Sequence, residues 1–163
     1  MGESPTHFLT MNGNSHDTLF TIEQADLGDL GGMRAIELAC FPLDAWPLLE
    51  LIGALTLPGL VRLKASVEGK MVGFVGGMVK RSEKEGWITT LGVLPAYRRL
   101  GIATVLLDQC ELALEMPVIK LTVRKSNLGA QQLYRLRGYM PVETWEHYYD
   151  GGEDGLVLEK RSA

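Results

Sequence analysis

Histidine and cysteine are scarce: the 163 residues hold three histidines and two cysteines. His7 and His16 fall in a Ser-, Asn- and Gly-rich stretch without apolar period, which leaves His147 alone in the patterned part of the chain. That supply argues against a Ser-His-Asp triad and a multi-histidine metal centre, so no metal is expected. Cys40 and Cys110 lack C-x-x-C spacing and sit inside apolar helical patterns, which reads as buried free thiols in a reducing, cytoplasmic setting. No run approaches the ~18 consecutive apolar residues of a membrane span. Basic charge is not in excess either. Sixteen Lys and Arg against twenty Asp and Glu give a net charge of −4, which argues against general affinity for nucleic acid or anionic membrane. Any anion site must be local, yet the phosphate loops G-x-G-x-x-G and G-x-x-x-x-G-K-[ST] are both missing.

What is present has the balance of one globular domain, with 46% hydrophobic and 22% charged residues, and a length too short for two ordinary domains. Residues 1–16 read as a flexible tail and 17–163 as the domain. From Thr18 a β-branched, alternating segment predicts a strand, followed by helical stripes over 26–39 and 46–55. Strands are predicted over 60–67, 71–79 and 87–94, a helix over 99–115 stopped by Pro117, a strand over 118–123, a helix over 127–137, and closing strands over 139–149 and 156–160. The order β-α-α-β-β-β-α-β-α-β-β implies an α/β (α+β) fold, with a mixed, mostly antiparallel seven-stranded sheet flanked by about four helices.

Two segments carry chemistry. In Leu91-Gly92-Val93-Leu94-Pro95-Ala96-Tyr97-Arg98-Arg99-Leu100-Gly101-Ile102-Ala103-Thr104 a strand turns directly into a helix. A helix start offers unpaired N–H groups and the positive end of the dipole. Gly101 and Ala103 keep bulk away from the main chain, and Arg98 and Arg99 add charge, so a pyrophosphate is the expected ligand. In the second segment, Arg124-Lys125-Ser126-Asn127 leads into a helix on which positions 127, 130, 134 and 137 share one face, since seven residues make nearly two turns. Asn127 suits the N-cap. An amide, a gap and a phenol along one face suit an elongated polar ligand.

The Arg-x-x-Gly-x-Ala pattern resembles the pyrophosphate loop of the GCN5-related N-acetyltransferase (GNAT) superfamily, and the second segment follows in the right order. The resemblance implies a GNAT fold and acetyl-coenzyme A as cosubstrate. It assigns Leu91, Gly92 and Val93 to the pantetheine arm at a splay between strands. Arg98, Arg99, Leu100, Gly101, Ile102, Ala103 and Thr104 go to the pyrophosphate, Asn127 to the cofactor, and Tyr134 to the leaving thiolate as general acid. Cys40-Phe41-Pro42-Leu43-Asp44-Ala45-Trp46 and His147-Tyr148-Tyr149 with Gly152-Glu153-Asp154-Gly155 resemble pieces of the protein N-terminal acetyltransferases, both the ribosomal-protein-alanine and the N-terminal-methionine types. By that resemblance Phe41, Pro42 and Leu43 line a pocket for the first residue of a protein or peptide acceptor, and Tyr148 and Tyr149 bond its backbone.

The chain departs from these relatives at the base. Thr122 stands where they have glutamate or histidine, and Trp87 where methionine-type relatives have tyrosine; neither side chain abstracts a proton. Thr122 is retained as a site residue only as part of a water chain with Thr90. An α-amine near pKa ~7.8 needs a base far less than an amine near ~10.4, which favours a peptide N-terminus over a polyamine or antibiotic amine. A non-catalytic acyl-coenzyme-A binder is the remaining alternative.

Overall fold

Period-two patterning builds the sheet. The computed structural model describes residues 5–9 and 19–162. It has β1 at Thr6–Leu9, β2 at Leu19–Gln24, β3 at Val61–Val67 and β4 at Lys70–Lys80. β5 follows at Glu85–Val93, β6 at Val118–Arg124, β7 at Met140–Trp145 and β8 at Gly155–Arg161. The eight lie in one sheet in the order β1-β2-β3-β4-β5-β6-β8-β7. Seven of them answer the expected strands. β1 is additional and corrects the flexible-tail reading at residues 6–9: it pairs antiparallel with β2 from Thr6↔Ile22 to Leu9↔Leu19. Phe8 stacks on Phe20 with ring centroids 5.6 Å apart, and this cross-strand aromatic pair supplies the anchor that the surrounding polar composition conceals. Residues 1–4 and 10–18, including His16 and the expected strand start at Thr18, lie outside the described residues.

All neighbours are antiparallel except β5 and β6, which run parallel and pair only at Glu85↔Val118, Gly86↔Ile119 and Trp87↔Lys120. Beyond that point the two strands part and open a wedge in the sheet. β5 also carries a bulge: Gly76 pairs with Thr90 but Gly77 with Ile88, so Thr89 is the extra residue. A Cβ placed on Gly76 would meet Thr89 Oγ1 at 2.8 Å and Thr90 Cγ2 at 3.4 Å. The bulge therefore turns two consecutive threonines to one face, where ordinary pleating would send them to opposite faces.

Helices cover the two faces. α1 (Leu30–Cys40) and α2 (Leu48–Thr56) bury Met33, Ile36, Leu51 and Leu55 around Phe74 of β4. On the other face α3 (Ile102–Leu114) buries Ile102, Leu106, Leu107, Cys110 and Leu114 as one stripe with Val75, and α4 is Leu128–Leu136. Each fully buried leucine of α3 stabilises by about 1.5–3 kcal/mol. α1 begins later than the pattern suggests. Asp26 accepts from the Gly28 N–H at 2.8 Å and donates its own N–H to Asp29 Oδ2 at 2.9 Å, which caps a 3-10 turn ahead of the helix. α3 starts at Ile102 rather than at residue 99, because Arg99 (φ 62°) and Gly101 (φ 82°) are left-handed.

The closing strand stops at Trp145, and this relocates the tyrosine pair. His147 is left-handed at φ 53°; its N–H donates to Asp154 Oδ1 at 3.0 Å and its ring Nδ1 donates to the Gly152 carbonyl at 3.0 Å. Tyr148 and Tyr149 thus sit in the β7–β8 loop, not on a strand. None of the helices among the described residues is long and apolar enough to cross a membrane.

Candidate active site

The wedge between β5 and β6 is continued by a groove of about 670 Å³ between the ends of β5 and α3 and one face of α4. The Leu94 N–H donates to the Val72 carbonyl at 2.8 Å, and the alternation of an antiparallel ladder then turns the main-chain groups of Leu91 and Val93 away from β4, toward the wedge. α3 has no side-chain cap, and its first intrahelical bond, Val105 N–H to the Gly101 carbonyl, is 3.1 Å. The N–H groups of Ile102, Ala103 and Thr104 therefore face the groove as orphan donors. A Cβ on Gly101 would meet nothing within 4 Å: the space over this amide cluster is open, as an anion cradle requires.

The individual roles differ from the sequence-based picture at three points. Arg98 Nε donates to the Val93 carbonyl at 3.0 Å, and its Nη2 lies 3.6 Å from Cys40 Sγ, so this arginine closes the end of β5 as well as lining the groove. Leu100 packs on the core instead of into the groove. Arg137, which shares the helical face of Asn127 and Tyr134, leaves it to form a bidentate pair with Asp108 of α3, with Nη2 at 2.7 and 2.6 Å from the two carboxylate oxygens.

Asn127 caps α4: its Oδ1 accepts from the Ala130 N–H at 3.1 Å, leaving the amide N–H₂ for the groove. Tyr134 is buried at 8% exposure, edge-on to Tyr139 with centroids 5.7 Å apart. Its hydroxyl makes no hydrogen bond among the described residues. Burial first, and the nearby Tyr149 phenol second, push its pKa up, so it holds its proton throughout the neutral range.

A second cavity, about 390 Å³, opens on the other side of the wedge. Its wall is a ladder of rings: Trp87 stacks on Trp145 at 5.9 Å, Trp145 meets Tyr148 at 5.0 Å and Tyr148 meets Tyr149 at 4.9 Å. Trp46 and the side chains of Thr89 and Thr122 complete it, and Lys80 is its one charged lining residue. Arg124, at the end of β6, fastens the flanking loops. It donates to Asp44 through Nε and Nη2, both at 2.6 Å, and through Nη1 to Glu153 at 3.0 Å, while its guanidinium lies 4.6 Å from the centre of the Tyr149 ring. These bonds hold the arginine firmly charged, its pKa raised.

Of the residues expected at the acceptor, Thr122, Tyr148 and Tyr149 line this cavity. Phe41 does not: it lines the 670 Å³ groove, lying over Gly92, where an added Cβ would be 3.3 Å from Phe41 Cε2. Pro42 is exposed and Leu43 is 72% exposed, and neither lines the cavity built on Trp46 and the ring ladder. Sequence reasoning also missed Glu37 of α1. It is the one buried charged residue among those described, 3% exposed, and its Oε1 accepts from the Thr90 hydroxyl at 3.0 Å. Burial outweighs this bond and one from the Trp46 N–H, so its pKa is raised.

The Acetyltransferase (GNAT) family model matches residues 32–139, a span that runs from α1 through the groove to the end of α4. The catalytic subunit NAA10 of the N-terminal acetyltransferase A complex of Arabidopsis thaliana is 33% identical over 146 residues, covering 85% of this chain and 76% of that protein. Among solved structures, the ribosomal-protein-S18-alanine N-acetyltransferase of Escherichia coli superposes with a TM-score of 0.78 at 24% identity, covering 87% of this chain and 93% of that one. The Arabidopsis thaliana Naa50 complex with a bisubstrate analogue, CoA-Ac-MVNAL, gives 0.74 at 23% identity, covering 88% and 99%. With the parted strands, the open helix start and the phenol between them, this chain belongs to the GNAT acetyltransferase family and is an N-acetyltransferase.

Proposed function

We propose that the protein transfers the acetyl group of acetyl-coenzyme A to the α-amino group at the N-terminus of a protein or peptide, by direct attack in a ternary complex. The groove fits the cosubstrate: orphan amides of Ile102 to Thr104 receive the diphosphate, the Leu91 and Val93 main chain lies along the arm, and the Asn127 amide borders it. Acetyl-coenzyme A would supply the activated thioester. Tyr134, protonated and free to donate, delivers a proton to the departing thiolate.

The observation that carries the choice of acceptor is the make-up of the second cavity. Its lining holds aromatic rings, threonines and Lys80 but no carboxylate. A polyamine or aminoglycoside is a polycation and requires acidic partners; a wall without carboxylates that carries Tyr148 and Tyr149 suits a peptide backbone and a single amine. The relatives named for N-terminal acetylation and the peptide-linked analogue in the Arabidopsis complex support the same reading.

A panel of peptides beginning with Met, Ala or Ser, each with a free or a blocked α-amine and an internal lysine, tests it. At pH 7 an α-amine is neutral in roughly one molecule in seven and a lysine in about four in ten thousand. Free N-termini are expected to turn over at least ~100-fold faster than the blocked, lysine-bearing peptides. Efficient acetylation of spermidine with all peptides inert overturns the assignment.

A further inference from the structure

A glutamate inside a protein normally carries a cation beside it, because an isolated buried carboxylate is costly. Glu37 has none. Its hydrogen-bond partners are two neutral donors, the Thr90 hydroxyl at 3.0 Å and the Trp46 N–H, and among the described residues it forms no salt bridge. A purely structural site of this shape would be served as well by glutamine. Its one hydroxyl partner, moreover, stands at a place of consequence. Thr90 immediately precedes Leu91, whose main chain faces the wedge, and the bulge at Thr89 turns both threonines to the α1–α2 face. Thr90 borders an apolar cavity of about 370 Å³ under α2 that shares Trp46, Met78 and Thr89 with the acceptor cavity. The Glu37–Thr90 pair therefore lies on the side from which the amine enters.

Resting on the reading of the acceptor as an amine bound in that cavity, we propose that Thr90 and Glu37 form the proton relay of the transferase. Thr90 Oγ1 takes the proton from the attacking nitrogen while its own proton passes to Glu37 Oε1. The balance is complete. The N–C bond forms as the C–S bond breaks, the nitrogen's surplus proton ends on Glu37, the thiolate takes the Tyr134 proton, and exchange with water returns a proton from Glu37 to Tyr134. The relay supplies what Thr122 and Trp87 lack. Thr90 is the group that touches the amine, and Glu37 acts through it.

The charges that bear on Glu37 are few. From α1 itself Arg34 and Cys40 lie three residues to either side: Arg34 is exposed to solvent, and the Cys40 Sγ donates to the Val93 carbonyl at 3.3 Å. α2 contributes Glu50 at the edge of the apolar cavity, a like charge. The α1–α2 connection contributes Asp44, already held by Arg124, and the lining that β3, β4 and β5 give the cavity, from Val61 and Phe74 to Thr89 and Thr90, has no charge. Burial favours the protonated form and outweighs the bonds from Thr90 and Trp46, so the carboxyl gives up and takes its proton at a pH above the ordinary glutamate range.

The test compares the wild-type enzyme with Glu37→Gln, which keeps the acceptor oxygen and loses only the titration, and with Thr90→Val and Thr90→Ser. With an acetylated N-terminal peptide substrate established, Glu37→Gln should lower kcat/KM about 10²-fold at pH 7.5, the scale of one general-base contribution, with acetyl-coenzyme A affinity by calorimetry unchanged. Below the Glu37 midpoint, log kcat/KM for the wild type should rise with pH at a slope of two, one for the amine and one for the carboxylate. The Glu37→Gln slope should be one, and Thr90→Ser should restore what Thr90→Val loses. A carbon-13 carboxyl titration of Glu37, independent of activity, should find its midpoint above the ordinary ~4.3 and moved further up in Thr90→Val, where a bond favouring the ion is gone. A profile in Glu37→Gln parallel to the wild type at every pH overturns the relay and leaves the acetyltransferase reading intact. If Glu37→Gln does not fold, a wild-type slope in Thr90→Val does the same. A wild type that acetylates no peptide overturns the functional reading itself.

Discussion

Tyr134 is buried, unbonded at its hydroxyl and protonated because burial penalises the phenolate. A proton donor in that state helps only when negative charge develops beside it, so its effect belongs to the transition state and not to binding. Tyr134→Phe keeps the ring and its edge contact with Tyr139, and should lower kcat roughly 10²-fold while leaving the dissociation constant for acetyl-coenzyme A nearly unchanged. A fully active phenylalanine variant removes the assignment. Asn127 and Tyr134 were legible in the sequence because a cap residue and a helical repeat fix their face without reference to the rest of the chain. Arg137 shares that repeat but follows Asp108 on α3, a tertiary partner that no local pattern reveals. Glu37 was illegible for the same reason. A glutamate in an amphipathic helix reads as solvent-facing, and its burial follows from the fit of α1 over a bulge 53 residues further on.

At the scale of elements, two devices shape the site, the left-handed turn into α3 and the arginine clasp. Gly101 sits at φ 82° with open space over its Cα, so a valine there both strains the backbone and fills the anion cradle. Gly101→Val should weaken acetyl-coenzyme A by at least tenfold, or ~1.4 kcal/mol. The strain of about 1–2 kcal/mol should lower Tm by roughly 2–8 °C. Unchanged affinity in calorimetry takes the turn out of the site. Arg124 joins α1–α2, β6 and β7–β8 through Asp44 and Glu153. Both carboxylates are about a quarter open to solvent, at 25% and 26%, so water screens part of the attraction. Arg124→Met should cost about 1–2 kcal/mol of stability, raise KM for peptide several-fold, leave KM for acetyl-coenzyme A alone, and speed amide exchange over residues 42–46 and 147–153. Lysine should restore little, since one ammonium does not reproduce the fork. The order of helices and strands was readable from periodicity. The strand at residues 6–9 was not, because its stability comes from pairing with β2, nor was the loop at Tyr148, where His147 breaks the ladder through a bond to Asp154.

For the molecule as a whole, the arrangement of groove, wedge and acceptor cavity decides whether acetyl passes directly or by way of the enzyme. In the proposed reading the groove takes acetyl-coenzyme A and the ring-lined cavity the amine, so the two substrates meet across the parted strands with nothing of the chain needing to carry the acyl group between them. A covalent route requires a thiolate, and Cys110 is a poor source of one. Cys110 is fully buried in the α3 stripe, its thiol pushed up to about 12 by burial first and Glu111 second, and it lies in the core rather than in the groove. Cys40 does border the groove, and its S–H donates to the Val93 carbonyl at 3.3 Å. The expected kinetics are therefore sequential: double-reciprocal plots at varied peptide should intersect. Intact-mass measurement of the enzyme mixed with acetyl-coenzyme A alone should show no 42-Da adduct. Cys40→Ser, which keeps a donor for Val93, should retain kcat within about threefold, the scatter expected of a contact outside the reaction. Parallel kinetic lines, or a stoichiometric acetyl adduct lost in Cys40→Ser, would replace direct attack with a two-step transfer through Cys40.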